Sequence, residues 1–179
     1  AGYQFIGMDH FAKADNELAI AQNEGKLHRN FQGYTTHGNC DLLGLGASSI
    51  SQIGTAILQN KKELKHYYHS IETQSGCALS KGMHLTHDDV IRADAIKQLI
   101  CQFELNIEEF AKKYHIEFDT YFAEALVSLK PLIDDNMVII ENNHVSVTSR
   151  GNLFIRIICM CFDAHLQNKI NATRFSRVI

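Results

Sequence analysis

Residues 28–54 read HRNFQGYTTHGNCDLLGLGASSISQIG, and five of the eleven glycines of the chain fall within this stretch. Glycine permits positive φ angles and a close approach of the backbone to another group. Residues 42–45 are apolar apart from Gly44, which predicts a short strand buried on both faces. Small polar residues after such a strand are typical of a ligand crevice at the carboxyl end of a parallel sheet. The same pattern also fits a loop, a strand and a second loop without a ligand, and it lacks the third glycine of a dinucleotide fingerprint.

The composition is that of a globular protein. The chain has 179 residues, of which 45% are hydrophobic and 21% are charged, and this length suits one ordinary domain or two small ones. No apolar run approaches the roughly 20 residues that a membrane span needs. Because the chain opens on a strand-like segment at Tyr3 with no signal peptide before it, we expect a cytoplasmic fragment of a longer protein.

The cysteines and histidines do not form a metal-binding pattern. The five cysteines include no C-x-x-C pair, which indicates reduced thiols of a cytosolic protein. Cys159 and Cys161 lie two residues apart in an apolar run, where we favour core packing over metal binding, because a free cysteine is usually a small buried hydrophobic residue. The ten histidines are scattered and are assigned to the surface.

The charge distribution argues against a nucleic-acid partner. Residues 1–85 carry seven basic and seven acidic side chains, and residues 86–179 carry ten basic and thirteen acidic ones. Neither part has the positive field that a nucleic-acid binder needs.

The first third of the chain follows a strand–helix–strand–helix pattern, which is typical of an α/β fold. Residues 3–8 predict a strand, and residues 18–22 predict a short helix with Asp15 or Asn16 as its N-cap. After the apolar strand at 42–45, residues 60–72 predict an amphipathic helix. Asp9 and His10 follow the first strand, and we favour a polar pair in a turn over a catalytic pair there.

The remaining chain is predicted to be mostly helical after a connector at residues 73–85. Thr86 and Asp89 have the spacing of a capping box, which predicts a helix over residues 90–103. A second helix is predicted after Asn106 and a third after Asp119. A hairpin and a long final helix complete the pattern; the hairpin strands are placed at residues 137–140 and 145–148, and the helix at residues 151–169.

This order of three helices, a hairpin and a helix is that of a winged-helix domain, a fold that often binds DNA with its third helix. Here the third helix, residues 120–135, carries Lys130 against Glu124, Asp134 and Asp135. Phosphate repels an acidic helix, so we interpret the module as a cover or docking domain. A transcription factor remains a more distant alternative.

Four blocks of the sequence carry a family resemblance. They are YQFIGMDHFA at residues 3–12, HRNFQGYTT at 28–36, LLGLGASSIS at 42–51 and RFSRVI at 174–179. Over essentially its whole length the chain resembles the bacterial oxygen-independent coproporphyrinogen III oxidases. The resemblance implies a radical S-adenosylmethionine oxidoreductase of haem biosynthesis, which converts two propionates of coproporphyrinogen III to vinyls and gives protoporphyrinogen IX.

The resemblance also implies an architecture and a missing part. Residues 1–72 would be the last strand–helix units of a partial TIM-like barrel, and residues 86–179 a winged-helix-like domain. The C-x-x-x-C-x-x-C motif of the family, which holds a [4Fe–4S] cluster, is absent together with the amino-terminal barrel region. Since thiolates are needed to hold the cluster, we expect the fragment to be inactive alone and to need that missing region as a partner.

Three residues would lie near S-adenosylmethionine if the family site is carried over by matched motif: Phe31, Gln32 and Ile50. Phe31 is suited to stacking on an adenine, and Gln32 offers a donor and an acceptor. Ile50 would supply an apolar wall. Without the resemblance, Phe31 and Ile50 fit a hydrophobic core equally well, and Gln32 fits a loop hydrogen bond.

A haem-binding chaperone related to this oxidase is the competing hypothesis. That branch tends to carry His-Asn with Tyr-Trp close behind, whereas residues 29–32 here read RNFQ and the chain has no tryptophan. The closing FSRVI also favours the oxidase.

Overall fold

The computed structural model describes residues 2–38, 40–73 and 76–167. The strands are β1 Tyr3–Gly7, β2 His10–Lys13, β3 His28–Asn30, β4 Gly33–Thr35, β5 Ile50–Ile53, β6 Ala56–Asn60, β7 Leu79–His84, β8 Glu104–Asn106, β9 Val138–Glu141 and β10 His144–Val147. The helices are α1 Glu17–Asn23, α2 Leu64–Thr73, α3 His87–Gln102, α4 Ile107–Tyr114, α5 Phe118–Tyr121, α6 Ala123–Asp134, α7 Ile155–Met160 and α8 Ala164–Gln167. No helix in this part of the chain is long and apolar enough to cross a membrane.

The fold mixes helices with four small sheets, and every strand pair among the described residues is antiparallel. The sheets have the orders β1–β2, β3–β4, β5–β6–β7 and β8–β10–β9. The predicted strand–helix–strand–helix pattern is therefore wrong in its connectivity. The physical reason lies in the short links, because connections of a few residues join antiparallel strands and leave no room for a crossover.

The predicted strand at residues 42–45 is also wrong. Leu43 is 69% exposed and Leu45 is 83% exposed, and only Leu42 forms a bridge, to Gln52. The segment is an ordered loop along β5, in which the Gly44 amide donates to Ser51 Oγ at 3.0 Å. A Cβ atom on Gly44 would lie 2.6 Å from the Ile50 carbonyl oxygen, so the glycine serves this close approach.

The predicted connector and the second helix differ from the structure in extent. Residues 79–84 of the connector form β7, which pairs with β6. Helix α2 begins at Leu64 rather than at residue 60. Its apolar residues Leu64 and Tyr68 are more than half exposed, whereas the fully buried Ser70 accepts a hydrogen bond from Lys61 at 2.5 Å.

Helices α3 to α7 and the sheet β8–β10–β9 contribute to the larger core. The predicted capping box is confirmed, because Thr86 Oγ1 accepts from the Asp89 amide and the Asp89 carboxylate accepts from the Thr86 amide. Asn106 caps α4 as predicted, and the β9–β10 hairpin turns at Asn142 and Asn143, both with positive φ. The fully buried large side chains of this core are Phe110, Phe122, Phe162, Ile91, Leu99, Leu105, Leu129, Ile155, Ile158, Val138 and Val145.

Two helix predictions need correction. The predicted third helix divides into α5 and α6, and Asp119 lies inside α5 instead of capping it. Up to residue 167, the predicted final helix divides into a 3₁₀ segment, Gly151–Phe154, and helices α7 and α8; its predicted end at residues 168–169 lies outside the described residues. The Asp163 carboxylate accepts from the His165 amide at 2.8 Å and so starts a new helix, a local bond that competes with helix continuation. Cys159 is buried in the larger core, as favoured above.

Helix α3 connects this core to a second, smaller one. Ile91, Ala95 and Leu99 pack in the larger core, whereas Cys101 packs with the first two hairpins and α1. The other members of the smaller core are Ile6, Ala12, Ala19, Ala21 and Leu27. The predicted boundary at residues 73–85 separates two stretches of sequence, but the smaller core includes residues from both sides of it.

Candidate functional site

The β3–β4 hairpin presents two of the residues that the family resemblance selects. The Asn30 side chain accepts from the Gln32 amide at 2.8 Å and from the Gly33 amide at 3.3 Å, which builds a tight Asx-type turn. This turn leaves Phe31 48% exposed and Gln32 exposed at the tip. An aromatic ring and an amide thus lie next to one another on the surface, and Phe31 is not part of the hydrophobic core of the described residues.

The third selected residue, Ile50, begins β5 in a different sheet and is half-buried. The structure thus places the three residues on two sheets. The Ile50 carbonyl lies against Gly44, and the Gly-rich loop covers this end of β5.

A cavity of about 200 Å³ lies between these two sheets and α3. The polar and charged residues that line it include His28, Arg29, Asn30, Thr35, Gln52 and Lys97. Residues 37, 38 and 40–42 line one side, where the Asp41 carboxylate accepts from the Gly54 amide at 2.8 Å.

Arg29 is fixed in this cavity by its contact with an aromatic ring. Its guanidinium carbon lies 4.8 Å from the centre of the Tyr34 ring, a cation–π contact. The Tyr34 hydroxyl donates to the Ile100 carbonyl at 3.2 Å, and burial raises the pKa of Tyr34 to about 12. Arg29 Nη1 is buried and has no hydrogen-bond partner among the described residues. Such a buried, unpaired charged donor is costly unless a partner supplies an acceptor.

Lys97 brings a second positive charge to the same place from α3. Burial raises the pKa of the Cys101 thiol to about 12, and the positive charges of both Arg29 and Lys97 oppose that rise. Burial, followed by the charge of Lys97, lowers the pKa of His28, so this imidazole is neutral at neutral pH. Neither Arg29 nor Lys97 forms an ion pair with a described carboxylate. Arg29 and Lys97 lie far apart in the sequence, so no local pattern predicts that they line the same cavity.

The ligand chemistry of the site does not fit a metal cluster. No group of three or more histidine, cysteine, aspartate or glutamate side chains is placed to hold a metal within residues 2–38, 40–73 and 76–167. Asp9 and His10 form an exposed pair at 2.8 Å in the β1–β2 turn, in agreement with the polar turn pair favoured from the sequence. The thiolate ligands of an iron–sulfur cluster would therefore have to come from outside the described residues.

Comparisons with known proteins find one group of similar enzymes. A family model described as the HemN C-terminal domain matches residues 85–154. The chain is 55% identical over its full length to the oxygen-independent coproporphyrinogen III oxidases of Salmonella typhimurium and Escherichia coli, and it covers 39% of each. The enzyme of Helicobacter pylori is 35% identical over 93% of this chain.

A solved structure agrees with these matches. The coproporphyrinogen III oxidase (HemN) of Escherichia coli, described as a radical SAM enzyme, superposes with a TM-score of 0.87 at 54% identity. The match covers 92% of this chain and 38% of that one, so the chain spans about two fifths of the length of the relatives that it matches. The chain is thus similar over its whole length to the carboxyl-terminal part of oxygen-independent coproporphyrinogen III oxidases, and its residues 85–154 match the HemN C-terminal domain.

Proposed function

We propose that this chain is the carboxyl-terminal part of an enzyme that oxidatively decarboxylates two propionates of coproporphyrinogen III to vinyls, giving protoporphyrinogen IX in the cytoplasm. The observation that carries the proposal is the 55% identity over all 179 residues to enzymes named for this activity. The structural agreement at a TM-score of 0.87 supports the same conclusion.

In this proposal the two halves of the chain have different tasks. Residues 1–72 would be the carboxyl-terminal part of the radical-SAM barrel of the intact enzyme, and the strands that they contribute pair as antiparallel hairpins here. Residues 86–179 would be a winged-helix-like domain, in which the sheet β8–β10–β9 would be the wing. Its helix α6 carries Lys130 as its one cationic side chain, together with Glu124 and Asp134, which argues against a contact with nucleic acid.

The intact enzyme would use S-adenosylmethionine and a [4Fe–4S] cluster, which together supply the radical that takes a hydrogen atom from the substrate. The cluster ligands lie outside this chain. Phe31 and Gln32 would contact S-adenosylmethionine from the tip of the β3–β4 hairpin, and Ile50 would add an apolar wall. The exposure of the Phe31 ring supports this role, because an aromatic side chain in water gains from covering by a base.

A substitution at Gln32 tests this assignment. Gln32→Ala in the intact enzyme should weaken S-adenosylmethionine binding by about tenfold, the effect of one or two lost hydrogen bonds. Isothermal titration calorimetry measures the affinity. Gln98→Ala, which removes an amide on α3 that bonds to Asp94, is the matched control. Equal affinities for the two variants would remove Gln32 from the site.

The haem-binding chaperone is the second candidate function. The His28-Arg29-Asn30-Phe31-Gln32 sequence and the absence of tryptophan are the features that count against it. An anaerobic assay of the intact, cluster-loaded enzyme separates the two functions. Formation of protoporphyrinogen IX that requires S-adenosylmethionine supports the oxidase, whereas tight haem binding without product supports the chaperone.

A further inference from the structure

The cavity between β3, β5 and α3 carries more positive charge than its walls neutralise. Arg29 and Lys97 both line it, and neither forms an ion pair with a described carboxylate. Asp41 is the one acidic residue that lines it, and its carboxylate also accepts from the Gly54 amide. The two cations therefore leave the lining with a net positive charge, which favours an anionic ligand.

The geometry of Arg29 narrows the type of anion. A guanidinium group presents its donors in a planar fork that matches the two oxygens of a carboxylate. The Tyr34 ring lies against this group and restricts its orientation, and the buried Nη1 atom has no acceptor within the described part of the chain. A volume of about 200 Å³ admits a carboxylate on a short aliphatic chain but not a porphyrin macrocycle, so only the end of a side chain enters.

We propose that this cavity binds a propionate carboxylate of the porphyrinogen substrate, with Arg29 and Lys97 as its anchors. The inference rests on the proposed function. The reaction leaves some propionates intact, and a fixed anchor for a retained propionate would orient the macrocycle for reaction at another. Arg29 and Lys97 are thus positioning and specificity residues.

Charge favours this occupant over the cofactor. S-adenosylmethionine carries a sulfonium and an ammonium group in addition to its carboxylate, and two unpaired cations in a cavity repel such a molecule. A propionate side chain brings a negative charge alone. Between unit charges in contact, this attraction or repulsion is strong enough to change an affinity even with the screening typical of protein surfaces.

The test compares the same porphyrin with its propionates free and with its propionates methylated and uncharged. Coproporphyrin III, the oxidised and fluorescent form of the substrate, is titrated with the intact enzyme prepared without cluster and S-adenosylmethionine, and binding is followed by fluorescence anisotropy. The tetramethyl ester of the same porphyrin, in the same detergent, has no free carboxylate. Arg29→Gln should lower the affinity for the acid by about tenfold or more, as expected for a charge-assisted hydrogen bond, and leave the affinity for the ester unchanged.

Further variants distinguish the loss of a ligand contact from a folding defect of Arg29→Gln. Lys97→Gln leaves the Arg29–Tyr34 contact intact and should also weaken binding of the acid alone. Arg29→Lys keeps the charge without the planar fork and should restore part of the affinity. Arg150→Gln, which removes an exposed arginine beyond β10, is the control and should match the wild type.

Four results would overturn the inference. The first three are no binding of coproporphyrin III, equal affinity of all variants for it, and an equal loss of affinity for acid and ester; each means that the cavity does not recognise a substrate carboxylate. The fourth is a loss of S-adenosylmethionine affinity in place of porphyrin affinity, which would assign the cavity to the carboxylate of the cofactor. The proposed reaction is tested separately by the product assay. Binding that is selective for the acid, in an enzyme that forms no product, would support the anion site and contradict the proposed reaction.

Discussion

At the scale of single residues, Tyr34 joins the hairpins to α3. Its hydroxyl donates to the Ile100 carbonyl, and Gly7 leaves the space that the hydroxyl occupies. Tyr34→Phe should lower the free energy of unfolding by about 1 kcal/mol, the usual net value of such a bond. Urea denaturation measures the change. Tyr3→Phe, at a side chain that is 57% exposed, should have no effect, and equal effects of the two variants would contradict the account.

Gly44 provides a second test at this scale. Gly44→Ala places a Cβ 2.6 Å from the Ile50 carbonyl oxygen, a backbone atom that cannot rotate away, and should cost about 1–3 kcal/mol of stability. At Gly82 an added Cβ would meet the end of the Leu58 side chain at 2.7 Å, which can move. Thermal unfolding should therefore rank Gly82→Ala as the milder variant, and the reverse order would mean that the loop does not lie on β5 as described.

At the scale of elements, the cap at the start of α3 should make the free energy of unfolding depend on pH at low pH. Hydrogen bonds from Thr86, followed by the bond with His165, lower the pKa of Asp89 from 3.8 to about 2. A lowered pKa means that the native state favours the carboxylate. This stabilisation is complete above pH 3.8 and is lost as the pH falls through about 2.

Asp89→Asn should flatten the dependence of stability on pH in this window. The free energy of unfolding, measured at several pH values between 3.8 and 2, should fall less steeply for the variant than for the wild type. Asp119→Asn, at an exposed residue that makes no cap, should keep the slope of the wild type. An unchanged slope for Asp89→Asn would refute the capping account.

The elements that the sequence predicted well are those with local signals. Thr86 and Asn106 cap α3 and α4 with their own side chains, and the β9–β10 turn uses two asparagines at positive φ. The β1–β2 pairing and the loop at residues 42–49 were missed, because they depend on partners elsewhere in the chain. The break before α8 was missed because the apolar run hides the local bonds of Asp163.

The candidate site shows the same contrast between what local sequence signals predict and what depends on distant partners. Phe31, Gln32 and Ile50 were named through the family resemblance, and composition and spacing alone left them undecided. Arg29 and Lys97 could not be paired from the sequence, because only the packing of β3 on α3 brings them to one cavity.

At the scale of the whole molecule, α3 is shared between two cores. A chain cut after residue 85 would lose Cys101 from the smaller core and the acceptors that Tyr34 and Gln22 use. We therefore expect residues 1–72 alone to lose the protection of their β1–β4 amides from hydrogen exchange. Protection equal to that in the intact chain would establish an independent domain. Deletion of residues 86–179 should accordingly destabilise the remaining chain as well as reduce substrate turnover.

The central claim, that this chain is part of a coproporphyrinogen III oxidase, is tested most directly by counting the carbon dioxide released from carboxyl-labelled coproporphyrinogen III. The intact enzyme with its cluster should release it anaerobically, two molecules for each substrate converted, and only when S-adenosylmethionine is present. No release above the level without S-adenosylmethionine, from an enzyme whose cluster is loaded, would contradict the account.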